Sequence, residues 1–168
     1  KIKLIFVGEL GQSGYKTRID NLIKQNDSRH IIITGFVDDI QYQNYMMAAD
    51  IAVQLRCKSR VETSGAVLDC LANGLPTIVN SYATFNDYPE DVVMKIPQNP
   101  SIKDIIEALR VLVLDKNVRN LYAANGRQYI AKEHDIKIIA KQYADFINKI
   151  IYKNHNTNKT LFLKKVAR

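Results

Sequence analysis

The chain alternates short, unbroken apolar runs with longer stretches in which apolar residues recur every three or four positions. Runs of the first kind are Ile2–Val7, His30–Thr34, Ile51–Leu55, Pro76–Asn80 and Val92–Ile96. Their β-branched content and length predict strands, and their continuous apolar character predicts burial on both faces, as in a parallel sheet. Stretches of the second kind predict helices over Tyr15–Gln25, Asp38–Ala49, Ser64–Asn73, Ile102–Leu114, Asn117–Lys132 and Ile136–Tyr152. Ser101 suits the N-cap of the fourth helix, and Gly74 suits the stop of the third. Pro76 falls on the first residue of its strand, where no ladder donor is needed. Strands and helices therefore alternate through Ile96 and three helices follow. That order predicts an α/β fold, a doubly wound parallel sheet with helices on both faces.

In such sheets ligands bind outside the carboxyl ends of the strands. The segments of interest are therefore 8–14, 35–39, 56–65 and 81–88. The run 56–65 is the richest. It carries Arg56, Lys58 and Arg60, then Glu62-Thr63-Ser64-Gly65 at the start of the third helix. A helix N-terminus offers unpaired N–H groups and a positive dipole end, glycine allows close approach to the backbone, and hydroxyls add donors. Two readings of this pattern stand: a phosphate site, or a plain N-cap at Thr63 or Ser64 with solvated cations. Asp69 has two readings as well, a carboxylate that accepts from a vicinal diol such as ribose, or an acid complementing the helix dipole. Glu62 is either an acceptor for sugar hydroxyls or a solvated loop acid. Gly8, Gly11 and Gly14 do not form the G-x-G-x-x-G dinucleotide fingerprint. Asp38-Asp39 is better explained by N-capping than by a metal pair. Cys70, in a mostly apolar helix, reads as a core residue.

Charge changes this picture little. The chain has 168 residues and a net charge of +7, of which residues 151–168 supply +5 without an acid. The other 150 residues (19 basic, 17 acidic) carry +2. The basic character belongs to a tail, 153–168, rather than to the domain expected over 1–152. This argues against a nucleic-acid partner, which calls for a basic folded surface. Cys57 and Cys70 are not in CxxC spacing, which fits a reducing, cytoplasmic setting. His30, His134 and His155 show no ligand spacing, so no metal site is expected. Lys1 opens directly onto an apolar run, and a further domain upstream is expected.

Several strings resemble a known family. They are Gly35-Phe36-Val37-Asp38; Tyr45-Met46 with Ala48-Ala49-Asp50-Ile51; Leu55-Arg56; Glu62-Thr63-Ser64-Gly65; and Leu71-Ala72-x-Gly74-Leu75-Pro76-Thr77-Ile78-Val79. Together, across about residues 2–150, they resemble the carboxy-terminal, Rossmann-like domain of GT-B fold glycosyltransferases, more narrowly family 4, the group 1 transferases. The resemblance implies a nucleotide-sugar donor domain of a retaining enzyme that needs no bound metal and no cofactor beyond its donor substrate. It also implies an amino-terminal acceptor domain, absent from this chain, so the fragment alone is expected to be inactive. The family's two acids form an E-x7-E motif. Glu62 matches the first, which contacts the sugar and is the catalytic candidate; Asp69 matches the second, which holds the ribose. The spacing here is one residue shorter and the second acid is Asp. Ser64 and Gly65 match the small residues whose backbone faces the diphosphate. Arg56 and Arg60 are the local cations for phosphate charge. Thr63, Gly8, Gly35 and Val37 complete the expected substrate-binding set, with base selection near Gly35–Val37.

The expected role is sugar transfer in surface polysaccharide or glycolipid synthesis. A GT-B nucleotide-sugar epimerase and a non-catalytic flavodoxin-like binding module are the alternatives. The last predicted helix ends near Tyr152. Thr160–Val166 is expected to form a separate helix, because the final helix of many two-domain relatives crosses back to the amino-terminal domain. The tail lysines add a second expectation, peripheral contact with an anionic membrane at its cytoplasmic face.

Overall fold

The computed structural model describes residues 2–11, 14–26, 28–60 and 62–166, with side chains described up to residue 152 apart from Ser28. It divides into two compact units, Lys1–Ala52 and Val53–Arg168.

In the first unit, strand β1 (Leu4–Phe6) pairs in parallel with β2 (Ile31–Ile33), Leu4 opposite Ile31 and Phe6 opposite Ile33. Helix α1 (Gly14–Gln25) connects them, and α2 (Asp39–Ala48) follows. The Asp38 Oδ1 accepts the Gln41 N–H at 2.7 Å, so Asp38 is the N-cap that the sequence suggests. A short 3-10 turn at Ser28–His30, not anticipated from the sequence, leads into β2. Burial of β1 on both faces is not found: the strand is exposed along its length. Two three-residue strands and two helices enclose too little volume to cover it.

Strand β3 (Ala52–Gln54), whose last two residues open the second unit, β4 (Thr77–Asn80) and β5 (Met94–Ile96) form one sheet in that order, with β4 and β5 parallel and Ile78 opposite Met94. Every residue of β4 is buried, as its central position requires, including the polar Thr77 and Asn80. Helix α3 (Gly65–Ala72) ends as expected. Gly74 at φ 68° lets its own N–H reach the Leu71 carbonyl and the Leu75 N–H reach that of Cys70, a paired closure that ties off the last turn. Val67 and Leu71 of α3 pack with Val79, Phe85, Tyr88, Val92 and Val93 into the core. Gly126 lies in α5 (Lys116–Glu133), where it lets α3 and α5 approach so closely that an added Cβ would meet Leu71 at 3.1 Å. Helix α4 (Ile102–Leu114) starts on a reciprocal Ser101–Asp104 cap.

The final helix corrects the sequence reading. Helix α6 runs unbroken from Ile136 to Val166, through the expected stop at Tyr152 and the segment expected as a tail. The stretch 136–166 contains no glycine or proline, and its asparagines lower helix propensity without breaking the backbone ladder.

Candidate functional site

The loop leaving β3 is fixed from beneath by one buried side chain. Asn80, last residue of β4 and 2% exposed, accepts the Arg56 N–H through Oδ1 at 2.9 Å. Its Nδ2 donates to the carbonyls of Arg56 and Gln98, each at 2.8 Å. Both backbone groups of Arg56 are thus satisfied where no strand partner exists, and the loop starts from a defined position.

From there the Arg56 guanidinium lies 5.2 Å from the centroid of the buried Phe85 ring and pairs with the Glu62 carboxylate at 2.5 Å. Glu62 Oε2 accepts the Arg60 N–H at 2.6 Å and the Ser59 hydroxyl at 3.3 Å. Thr84 donates its hydroxyl to the Glu62 carbonyl at 3.0 Å. Backbone N–H groups of Glu62 and Arg60, with the Arg56 charge beside them, hold the Glu62 carboxyl below its usual value of 4.5. Glu62 is therefore an ionised, oriented and still exposed carboxylate. It lines an open cleft of about 740 Å³ with Lys58, Ser59, Arg60 and Tyr82.

Beyond this loop Ser64, 3% exposed, caps α3: its Oγ accepts the Val67 N–H at 3.4 Å. The hydroxyl is thus used in capping, the plain reading of that residue. Thr63 and Gly65 are exposed on either side of it, and a Cβ at Gly65 would meet open space. Asp69 sits in the second turn of α3, half-buried, and is not among the residues lining the Glu62 cleft. Arg56 and Arg60, expected to serve phosphate, here orient Glu62, the first by its guanidinium and the second by its backbone. Cys70 is 1% exposed and burial pushes its thiol up to about 11, which agrees with a core role.

The remaining expected residues belong to the first unit. Gly8 (φ 122°) and Gly35 (φ 69°) lie just past the carboxyl ends of β1 and β2 and are joined by an isolated antiparallel bridge. Thr34 stitches this corner. Its Oγ1 accepts the Gly8 N–H at 3.1 Å and donates to the Gly35 carbonyl at 2.8 Å. Both glycines occupy backbone regions that other residues rarely adopt, with open space where a Cβ would stand. Val37 follows, half-buried.

Asn80 was missed as a site residue, and Tyr82 and Thr84 were covered only as part of the segment 81–88. Asn80 was read only as the last residue of a strand, and only its burial reveals a clamp. Ala83, between Tyr82 and Thr84, has a positive φ of 51°, a conformation no sequence pattern announced. Among the described residues, no three His, Cys, Asp or Glu side chains group so as to hold a metal ion.

Comparison with protein families matches residues 1–129 to the glycosyl transferases group 1. The chain belongs to this family. Among solved structures, HepE of Anabaena in complex with UDP superposes with a TM-score of 0.78 at 15% identity, over 88% of this chain and 41% of that one. Sucrose-phosphate synthase of Thermosynechococcus elongatus gives 0.70 at 18% identity, over 89% and 38%. The carboxy-terminal domain of LpcC, a group 1 family protein of Francisella tularensis, gives 0.67 at 22% identity, over 80% and 70%. These likenesses establish the fold as the Rossmann-like domain of GT-B glycosyltransferases. The chain spans about two fifths of the length of HepE and of sucrose-phosphate synthase. Comparison with curated proteins gives no match.

Proposed function

We propose that this chain is the donor-binding domain of a retaining glycosyltransferase that moves a sugar from a nucleotide-sugar to an acceptor in surface polysaccharide or glycolipid synthesis, in the cytoplasm. The observation that carries the reading is Glu62: an exposed carboxylate, kept ionised and aimed by Arg56 and Arg60, on the loop that ends at the N-terminus of α3. Membership of the glycosyl transferases group 1 supports it. So do HepE structures in complex with UDP and with UDP-glucose, for the class of ligand.

In this reading Glu62 accepts hydrogen bonds from hydroxyls of the donor sugar. The diphosphate lies at the start of α3, against the backbone of Ser64 and Gly65, where the helix dipole and the cations of the 56–60 loop neutralise it. Asp69 takes the ribose. The acceptor domain lies outside these 168 residues, and the domain alone binds donor without transferring sugar.

The test is a thermal-shift and calorimetric panel of UDP-, GDP- and ADP-sugars on the 168-residue chain. One of them is expected to stabilise it by about 2.7 kcal/mol at 100 times its dissociation constant. Failure of all three to bind would overturn the reading.

A further inference from the structure

We propose that Tyr82 is the sugar platform of the Glu62 cleft, its ring packing against the apolar face of a pyranose whose hydroxyls Glu62 accepts. The inference rests on the donor-site reading and deepens it. Lys58, Ser59, Arg60 and Glu62 line the cleft with charge and a hydroxyl, and Tyr82 alone among the lining residues offers an apolar face. A pyranose presents both kinds of surface. Its hydroxyls suit an ionised carboxylate, which only accepts hydrogen bonds, and its ring C–H groups suit an aromatic face. A few placed polar groups around an aromatic wall are the usual make-up of a small-molecule site.

The two sides of the cleft share one support. The Asn80 side chain holds the backbone of Arg56, the partner of Glu62, and the Asn80 carbonyl accepts the Tyr82 N–H at 2.7 Å. The Tyr82 carbonyl accepts the Phe85 N–H at 3.1 Å, and Phe85 is the buried ring against the Arg56 guanidinium. Thr84 ties the same segment to the Glu62 carbonyl. Within it Ala83 keeps a φ of 51° without being glycine. Such a conformation persists only where its surroundings over-determine it, and residues of this kind gather at ligand sites. The result is a tyrosine held in register with Glu62. The fold itself makes little use of the side chain. Phe85, Tyr88, Tyr129 and His134 stack in series, whereas Tyr82 joins none of these pairs. Tyr82 is half-buried, and among the described residues its hydroxyl makes no hydrogen bond.

The experiment is calorimetric titration of the 168-residue chain and of Tyr82→Ala and Tyr82→Phe. The probes are UDP, GDP and ADP, and UDP-glucose, GDP-mannose and ADP-glucose. The quantity read is the dissociation constant of each nucleotide-sugar divided by that of its own diphosphate. Tyr82→Ala is expected to raise this ratio about fivefold with diphosphate affinity unchanged, which also reports that the variant is folded. Tyr82→Phe keeps the ring and is expected to leave the ratio within about twofold of the parent. Tyr82→Trp supplies a second readout, because the chain contains no tryptophan. Its emission is expected to change with the nucleotide-sugar and not with the diphosphate. An unchanged ratio in Tyr82→Ala would overturn the proposal. So would equal losses for diphosphate and nucleotide-sugar, or an emission change of equal size with both, since either places the ring on the nucleotide. A parent chain that binds none of the six compounds overturns the donor-site reading and this inference together. A parent that binds them while the ratio ignores Tyr82 overturns this inference alone.

Discussion

Asn80 holds Arg56 by both backbone groups, accepting its N–H at 2.9 Å and donating to its carbonyl at 2.8 Å. The same side chain reaches the Gln98 carbonyl. One buried amide thereby joins the end of the central strand β4 to the loop that carries Glu62 and to the segment after β5. Asn80→Ala removes all three bonds and leaves backbone groups unpaired. We expect a loss of about 1–3 kcal/mol, the usual cost of an orphaned buried polar group. Urea denaturation measures it; a loss below about 0.5 kcal/mol, the range of an inert surface substitution, would show that the clamp does not matter.

The central strand of the second unit was legible because β4 is buried on both faces and carries β-branched Thr77, Ile78 and Val79 in a row. The ends of α3 were legible because Ser64 and Gly74 have capping chemistry that few other residues supply. Glu62 was legible as an acid that follows three cations at a helix start. Its orientation was not, since Thr84 reaches Glu62 from 22 residues away, Asn80 and Phe85 reach its partner Arg56 from 24 and 29 residues away, and no local pattern encodes that convergence. The length of α6 was misread because Asn154, Asn156 and Asn158 suggested a linker. Their propensity penalty is only a few tenths of a kcal/mol each, roughly, and does not stop a helix without proline or glycine.

Gly74 offers a sharper test of local structure. Its φ of 68° favours glycine, and a Cβ there would stand 2.2 Å from the Arg127 Cζ, whose guanidinium donates to the Asn73 carbonyl at 3.1 Å. Gly74→Ala is expected to cost about 1–2 kcal/mol from backbone strain alone. Chemical denaturation of the variant reads it, and an unchanged midpoint would contradict the closure described for α3.

Glu62 gives a signed pH dependence. Its carboxyl is lowered in the folded chain by the backbone N–H groups of Glu62 and Arg60 and by Arg56. Between the folded and unfolded values the unfolded chain binds more protons, so stability rises with pH there. The contribution is present above the unfolded value and lost as pH falls through the folded one. Glu62→Gln should therefore flatten the acid limb of the stability curve below about pH 4.5, leaving the part due to Asp104, which is lowered by its Ser101 bonds. An acid limb identical in parent and variant would contradict this.

The two cysteines should separate cleanly. Cys57 is exposed, whereas Cys70 is buried and its thiol is raised to about 11. A thiol reagent at pH 8 is expected to label Cys57 in the native chain and Cys70 only on unfolding. Rapid native labelling of both would place Cys70 outside the core.

The central claim divides the donor between two carboxylates, Asp69 on the ribose and Glu62 on the sugar. Calorimetric titration of the free nucleoside diphosphate into Asp69→Asn and Glu62→Gln tests it most directly, using whichever base the donor panel selects. The account predicts that Asp69→Asn weakens binding by about 1–3 kcal/mol, the range for hydrogen bonds to a charged group. It predicts that Glu62→Gln leaves nucleoside diphosphate affinity unchanged while weakening the nucleotide-sugar. Equal loss of nucleoside diphosphate affinity in the two variants, or none in Asp69→Asn, would contradict it.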